Sequence, residues 1–208
     1  MKAINAPFAD KLRLPKVPKR RKRVFKKTHI QQLIKQIEQL KFKSLRLRTK
    51  AAVLLAATSG LRSSEIYQLT LSDIDLENRV VFVNFGKTAG TSKTIKDFEE
   101  RFSFFSIEAR TAIEEYIDNC KSSTPRLFPE SCIRRAFKQL NTDLRLKHMR
   151  KFFSQQSDRL GMPTSIKRML MGHSLRGDVD LQHYDFQDEE ELKKIYDRYW
   201  RDFRILDS

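Results

Sequence analysis

Hydrophobic residues recur at helical spacing along most of the chain. In the segment THIQQLIKQIEQL, Leu33, Ile34, Ile37 and Leu40 fall on one face of a helix, and Thr28 is a residue type that favours the N-cap position. This pattern predicts that the first packed helix begins at Thr28.

The same spacing predicts further helices. The segment LRLRTKAAVLLAATSG has an apolar centre rich in Ala and Leu, which indicates a buried helix, and its Gly60 suits a helix C-terminus. A short helix is predicted in SSEIYQLTL, and Ser106 is placed to cap a helix over IEARTAIEEYIDNC. The remaining helices are predicted around 131–145, 147–160, 163–171 and 188–206.

Two segments in the middle of the chain have the composition of β-strands. VVFVNFGK and RFSFFS are rich in β-branched and aromatic residues, and the polar stretch KTAGTSKTIKDFEE lies between them. We therefore expect a β-hairpin with a long, basic connection. The predicted fold class is α+β, mainly α-helical, with one small antiparallel sheet.

The chain is strongly basic. Its 42 Lys and Arg residues outnumber 26 Asp and Glu residues, which leaves a net charge of +16 and a pI near 10.0. Such a field attracts polyanions, so nucleic acid is the first partner to consider. A ribosomal or architectural protein would carry the same excess, so charge indicates a class of partner and no chemistry.

The basic residues are densest near the N-terminus. Between Lys11 and Lys27 there are ten Lys and Arg residues and no acidic residue, and Pro15 and Pro18 interrupt any helix. We interpret residues 1–27 as a basic arm or an interdomain linker, and residues 28–208 as one domain with a C-terminal helical segment. The arm residues expected to contact nucleic acid are Lys19, Arg20, Arg21, Lys22 and Arg23.

Cysteine content and hydropathy limit which bound metals, disulfides and cellular compartments fit the sequence. Cys120 and Cys132 are the two cysteines, and no Cys-x-x-Cys pair or His cluster accompanies them, so neither a zinc site nor a disulfide framework is indicated. No run approaches the roughly 18 apolar residues of a membrane span, and the start lacks the apolar stretch of a signal peptide. We expect a soluble, cytoplasmic protein with no metal and no cofactor.

Arg62 follows the glycine that ends the second predicted helix, and Glu65 lies three residues later on the same helical side. A guanidinium presents a planar fork that matches a phosphate, and a nearby carboxylate can hold that fork in place. The same spacing is typical of a surface ion pair, so the pair alone does not separate the two interpretations.

The segment around this pair, SGLRSSEIYQL, resembles the first conserved box of the tyrosine recombinases and integrases, where a Ser- or Thr-Gly-Leu-Arg turn carries the first catalytic arginine. In that family a hairpin follows and carries a catalytic lysine. The resemblance points to Lys87 in VVFVNFGKTAG, with Lys93 and Lys96 as rivals in the same connection.

The segment LKHMRKFFSQQSDRLGMP resembles the family's second box, which is usually His-x-x-Arg on a helix. Aligning the arginine with Arg150 places Lys147, and not His148, at the histidine position. Lys147 and Arg150 share a helical face because they are three residues apart, whereas His148 points about 100° away from Lys147. In having a lysine at this position, the segment resembles the archaeal virus integrases of the fusellovirus type.

The Met-Gly-His-Ser string in IKRMLMGHSLRGD resembles the third box, usually Leu-Gly-His, and would place His173 at the phosphate pocket. Eleven residues later, DLQHYDF offers Tyr184 at about the distance at which the family places its nucleophile. Tyr196 and Tyr199 are competitors, but they fall in EEELKKIYDRYWRDFRIL, whose apolar spacing predicts a packing helix.

The resemblance covers about 28–203 and implies a tyrosine recombinase catalytic domain. It implies that Tyr184 attacks a DNA phosphate and forms a 3′-phosphotyrosyl link, that Arg62 and Arg150 neutralise the phosphate, and that neither metal nor ATP takes part. Glu65 would support the first arginine.

Proton transfer is less determined by the resemblance. Lys87 is the implied general acid for the leaving 5′-oxygen, with Lys147 as its rival. His173 would orient the phosphate or serve Tyr184 as base.

The implied partners are double-stranded DNA at a specific attachment site and further copies of the chain, assembled as dimers to tetramers. A type IB topoisomerase-like relaxing enzyme would share this chemistry, and a non-catalytic DNA-binding protein would share the charge. The non-catalytic interpretation does not explain why five segments occur in the order of the family's motifs. These are the segments that contain Arg62, Lys87, Arg150, His173 and Tyr184.

Overall fold

A computed structural model of the chain describes residues 23–83, 101–120, 125–173 and 188–206. Within these ranges the protein is mainly helical with one small antiparallel sheet, so the predicted α+β class is confirmed. The helices are α1 (Lys27–Glu38), α2 (Lys43–Ser59), α3 (Ser63–Ile66), α4 (Ile107–Asn119), α5 (Glu130–Gln139), α6 (Lys147–Arg159), α7 (Thr164–Leu170) and α8 (Glu189–Trp200).

Helix α2 lies at the centre of the domain. Its residues 51–59 are all buried, as expected for a helix that is apolar on every side, and it packs against α1, α4, α5 and α6. The hydroxyls of Thr49, Thr58 and Ser59 donate to carbonyl oxygens four residues earlier, which satisfies the polar groups of this buried helix. α2 is therefore a fixed scaffold for the segment that follows it.

The predicted glycine end of α2 is confirmed. Gly60 adopts a left-handed φ of 69°, which favours glycine. A Cβ atom at this position would lie 2.5 Å from Cδ1 of Phe153 on α6. Gly60 thus turns the chain toward α3 and also lets α6 pack closely against the end of α2.

The sheet contains β1 (Ile74–Asp75), β2 (Val80–Val83) and β3 (Arg101–Phe104), antiparallel and in that order. The hairpin of β2 and β3 confirms the predicted pair of strands. β1 was not predicted, because two residues are too few for an alternating pattern to be recognised. Val83, the last described residue before position 84, pairs with Arg101, the first described residue after position 100.

The helix boundaries differ from the predicted ones in two places. The predicted N-cap at Thr28 is wrong: α1 begins at Lys27, and the N–H of the N-cap residue Lys26 donates to Nδ1 of His29 at 3.0 Å. An imidazole here supplies the acceptor expected from a capping side chain. The helix predicted over 131–145 ends at Gln139, whereas the Ser106 cap is confirmed by its 3.2 Å bond from the Ala109 N–H.

Residues 23–26 pack on α6. Phe25 is buried, its N–H donates to Oε1 of Gln155 at 2.7 Å, and its carbonyl oxygen accepts from Nη1 of Arg159 at 3.0 Å. The rings of Phe25 and His148 are stacked, with centroids 5.4 Å apart. The chain is thus already bound to the domain before α1 begins. None of the described helices is long and apolar enough to cross a membrane.

Candidate active site

Arg62 lies in the turn between α2 and α3. Its backbone N–H donates to Oε2 of Glu65 at 2.6 Å, and its Nη1 donates to Oε1 of the same carboxylate at 2.9 Å. Its Nη2 donates to the carbonyl oxygen of Gly172 at 3.1 Å, across 110 residues of sequence. The side chain remains 43% exposed, so this guanidinium is held in place and is still accessible to an anion.

Glu65 is buried and binds two arginines. Besides Arg62, it accepts at Oε2 from Nη2 of Arg101 on β3, at 2.7 Å. Burial acts to raise the pKa of the Glu65 carboxyl, but Arg101 and then Arg62 outweigh it and hold the pKa below its ordinary value. Glu65 is therefore ionised near neutral pH and holds both cations.

Arg101 is the residue of this cluster that the sequence patterns did not single out. It opens β3, and its partners Glu65 and Leu170 lie 36 and 69 residues away in sequence. A basic residue at the start of an apolar strand is the signal that could have drawn attention to it.

Arg150 on α6 stands beside Arg62. Its Nη1 donates to the carbonyl oxygen of Gly60 at 2.7 Å, and among the described residues no carboxylate lies within ion-pair distance of it. Burial first, and then the charge of Arg62, lowers the pKa of Arg150 to about 10, although Glu65 acts in the opposite direction. The positive charge is thus poorly compensated, which favours binding of an anion.

His173 lies at the end of the turn that follows α7. Its backbone N–H donates to the carbonyl oxygen of Arg168 at 3.0 Å. Gly172, the residue before it, has a left-handed φ of 62°. Partial burial lowers the pKa of His173, and Arg150 and Arg62 lower it further. The imidazole is therefore neutral at pH 7, close to two fixed cations.

The second-box residues point in two directions. Lys147 is the first residue of α6 and is exposed, one turn before Arg150. His148 lies on a different face of the helix: its Nδ1 accepts from the Arg145 N–H at 3.1 Å and its ring stacks on Phe25. His148 is thus engaged in capping α6 and in packing residues 23–26, and neither contact involves Arg62 or Arg150.

Several candidate residues lie outside the described ranges. They are the hairpin lysines Lys87, Lys93 and Lys96, the tyrosine Tyr184, and the arm residues Lys19, Arg20, Arg21 and Lys22. The fifth arm residue, Arg23, is exposed, and its guanidinium carbon lies 5.5 Å from the centroid of the Phe25 ring.

The competing tyrosines lie on α8, as the apolar spacing predicted. Tyr196 is fully buried and its hydroxyl donates to the carbonyl oxygen of Thr58 at 3.0 Å. Burial raises the pKa of this phenol well above its ordinary value. Tyr196 is therefore a packing residue, and Tyr199 on the same helix is half-buried against the core.

Together, the described residues bring two arginines, a carboxylate and a neutral imidazole to one surface. Two guanidinium forks match the oxygens of a phosphate, and the imidazole can accept or donate a proton beside it. Within the described residues no group of three His, Cys, Asp or Glu side chains is placed to hold a metal ion.

Known families and proteins share sequence with this chain. The model of the Phage integrase family matches residues 23–189. The chain is 28% identical over 165 residues to the tyrosine recombinase XerA of Saccharolobus solfataricus, over 76% of this chain and 52% of that protein. It is 26% identical over 174 residues to XerA of Pyrococcus furiosus, over 84% of this chain and 55% of that protein. The chain thus spans about half the length of these curated relatives.

Solved structures show the same fold at low sequence identity. A crystal structure of XerA recombinase gives a TM-score of 0.56 at 20% identity, covering 94% of this chain and 72% of that one. The integrase from mycobacterium phage Brujita gives 0.60 at 18% identity, covering 91% and 62%. Since the family model matches well over half of the sequence, this chain belongs to the phage integrase family.

Proposed function

We propose that this chain is the catalytic part of a site-specific DNA recombinase, which cleaves and rejoins DNA through a 3′-phosphotyrosyl intermediate. The nucleophile in this proposal is Tyr184. The reaction conserves the energy of the phosphodiester in a covalent bond and uses neither metal nor ATP.

The observation that carries the proposal is the pairing of Arg150 with Arg62. Two guanidinium groups near each other repel, and Glu65, the carboxylate that acts on both among the described residues, also binds Arg101. A phosphate would relieve this repulsion, and it would do so most strongly in the pentavalent state, whose equatorial oxygens carry more charge. The cluster therefore favours phosphoryl transfer over binding alone.

In the proposed cleavage step the Tyr184 oxygen forms a bond to phosphorus and the bond from phosphorus to the 5′-oxygen breaks. The phenol proton passes to a base, for which the neutral imidazole of His173 is suited. The leaving 5′-oxygen takes a proton from Lys87 or Lys147. Rejoining is the same step in reverse, with a 5′-hydroxyl as nucleophile.

The partner we propose is double-stranded DNA at a specific attachment site, where dimers to tetramers of the chain assemble and exchange strands. Both XerA relatives are named tyrosine recombinases, which favours strand exchange over relaxation of supercoils. The lysine at position 147 supports a finer proposal, that the chain is an integrase of the archaeal virus type and acts in the cytoplasm of its host.

A trapping experiment tests the proposal. The probe is a library of DNA duplexes with a randomised central segment, each nicked near its centre so that the short cleaved end diffuses away and the reaction cannot reverse. The wild-type chain should give covalent adducts on a denaturing gel, and sequencing of the trapped DNA should return one preferred site. A chain that binds the library but forms no adduct would refute the proposal.

Matched tyrosine variants sharpen this test. Tyr184→Phe removes the proposed nucleophile and should abolish adducts while DNA binding persists. Tyr199→Phe removes a hydroxyl from the same part of the chain and should form adducts as the wild type does. Adducts formed by Tyr184→Phe would overturn the assignment of the nucleophile.

A further inference from the structure

The guanidinium of Arg101 joins three elements of the fold. From the start of β3, its Nη2 donates to Oε2 of Glu65 on α3 at 2.7 Å, and its Nη1 donates to the carbonyl oxygen of Leu170, the last residue of α7, at 2.9 Å. The side chain is only 12% exposed. Both terminal nitrogens are thus bonded within the protein, and, unlike Arg62, the side chain leaves little surface open to a ligand.

These bonds belong to a hydrogen-bond network that also includes Arg62 and Gly172. Glu65 accepts from Arg101 at one carboxylate oxygen and from the Arg62 side chain at the other. Arg62 in turn donates to the carbonyl oxygen of Gly172. Gly172 follows Leu170 by two residues and precedes His173. Arg101 is therefore connected to Arg62 by one carboxylate and to the turn before His173 by one carbonyl group.

The packing around Gly172 shows how closely Arg101 fits this turn. A Cβ atom at Gly172 would lie 2.1 Å from Nε of Arg101 and 2.6 Å from its Cδ. The Arg101 side chain thus lies directly against the backbone of the turn, which Arg62 binds through the Gly172 carbonyl. A change in the position of Arg101 would move the turn as well as the carboxylate.

Charge gives Arg101 a second effect. Glu65 bound to Arg62 alone would neutralise that guanidinium one to one. Because Arg101 binds the same carboxylate, at 2.7 Å beside 2.9 Å for the side chain of Arg62, the negative charge is shared between two cations. Arg62 then keeps more of its own charge for an anion.

We propose that Arg101 is a positioning residue of this site. It sets the orientation and effective charge of Arg62 through Glu65, and it holds the turn before His173 through Leu170, without contacting the phosphate. This inference rests on the proposed function, since the geometry that Arg101 maintains is that of the phosphate-binding groups.

The residue just before β2 offers a matched control. Arg79 is also a buried arginine, 11% exposed, which binds a carboxylate, Asp197, through Nη2 at 2.6 Å and a backbone carbonyl, that of Phe105, through Nη1 at 3.1 Å. Its partners are on α8 and after β3, and neither of them bonds to Arg62, Glu65 or Arg101. Arg79→Gln therefore reproduces the structural loss of Arg101→Gln without touching the site.

The experiment measures DNA affinity and the single-turnover rate of adduct formation on the nicked duplex recovered from the trapping library. Arg101→Gln should bind DNA within about threefold of wild type and form adducts about 10- to 100-fold more slowly, because small errors in the placement of reacting groups have effects of this size. Arg101→Lys retains the charge but not the fork, and should restore part of the rate. Arg79→Gln should retain the wild-type rate in its folded fraction.

A double variant tests whether Arg101 acts through Arg62. If it does, adding Arg101→Gln to Arg62→Ala should slow the reaction by much less than Arg101→Gln slows the wild type, since residues that act as a unit are not additive. The loss that remains comes from the Leu170 bond, which holds the turn before His173 without Arg62. A full additional loss in the double variant, a wild-type rate in Arg101→Gln, or an equal loss in Arg79→Gln would each overturn the inference. If Arg101→Gln does not fold, Arg101→Lys with the wild-type rate would overturn it, and a slowed Arg101→Lys supports it.

The wild-type reaction separates this inference from the proposed function. Adducts formed equally well by wild type and Arg101→Gln would refute the role of Arg101 and leave the function intact. A wild-type chain that forms no adduct would refute the function, and the inference with it.

Discussion

Gly172 and Gly161 both have positive φ angles, 62° and 82°, but their surroundings differ. A Cβ atom at Gly161 would have nothing within 4 Å, whereas one at Gly172 would collide with Arg101. Gly161→Ala should lower the free energy of unfolding by about 1 kcal/mol, the cost of a left-handed alanine. Gly172→Ala should lower it further and should also slow adduct formation. Urea denaturation of the two variants measures the difference, and equal losses would contradict the close fit of Arg101 against the turn.

His148 links stability to pH. Burial, and then Lys147, Arg23, Lys151 and Arg145, lower its pKa, and its Nδ1 must stay unprotonated to accept from the Arg145 N–H. The folded chain binds this proton more weakly than the unfolded chain, whose histidine titrates near 6.5. The stabilisation is therefore complete above about pH 6.5 and is lost as the pH falls through the lower, folded pKa.

The titration of His148 predicts a measurable pH effect. Between about pH 7.5 and 5.5, the free energy of unfolding of wild type should fall more than that of His148→Gln, which keeps an acceptor at the helix start but does not titrate. His173 contributes in the same direction in both proteins, so it cancels in the comparison. Identical pH dependence of the two proteins would show that the cap is not sensitive to protonation.

For single residues, the sequence predicted contacts between near neighbours in the chain better than contacts between residues far apart in sequence. The contact of Arg62 with Glu65 follows from a three-residue spacing, and Lys147 and His148 diverge as helical geometry requires. Arg101 could not be found in this way, because its bonds depend on how β3 packs against α3 and α7. The roles assigned to Lys87 and Tyr184 stay predictions, since both lie outside the described residues.

Among the elements, α8 is bound to the centre of the domain by two polar bonds. Tyr196 donates to the Thr58 carbonyl, and Nε1 of Trp200 donates to Oγ of Ser157 at 3.1 Å. These bonds attach the helix to the C-terminal ends of α2 and α6. The segment predicted to carry Tyr184 therefore ends at a helix fixed on its own domain.

Tyr196→Phe tests whether α8 has a structural role. It leaves the buried Thr58 carbonyl without this donor and should lower the free energy of unfolding by about 1–3 kcal/mol. Because Tyr196 is not the proposed nucleophile, the folded variant should still form covalent adducts. Thermal unfolding and the adduct gel measure the two effects, and loss of adducts in a fully folded variant would contradict this division of roles.

Element types were predictable from the sequence, and their ends were less so. Apolar spacing predicted α2, α4, α6 and α8, because each buries one face or more against the core. The start of α1 was misplaced because His29, and not a Thr28 hydroxyl, supplies the acceptor. The strand β1 was missed because its two residues acquire strand geometry only by pairing with β2.

For the whole molecule, the net charge of +16 predicts DNA binding that weakens steeply with salt. Seven of the chain's Lys and Arg residues lie between Lys11 and Lys22, in the predicted basic arm. Deleting residues 1–22 should make the dependence of log K on log salt shallower, by up to about 0.9 for each phosphate that the arm neutralises.

The bonds of Phe25 provide the control for this deletion. Phe25 still bonds to Gln155 and Arg159 in the shortened chain, so its thermal stability should be close to that of wild type. A salt dependence equal to that of the full chain would show that the arm does not bind phosphates.

The central claim is that this chain breaks DNA by joining it to Tyr184, and the most direct test is to identify the modified tyrosine. Cleavage after Lys and Arg releases Tyr184 in a peptide of residues 177–193, Tyr196 in residues 195–198 and Tyr199 in residues 199–201. Mass spectrometry of nuclease-treated adducts should find the nucleotide on the peptide 177–193. A nucleotide on either of the other two peptides would contradict the account.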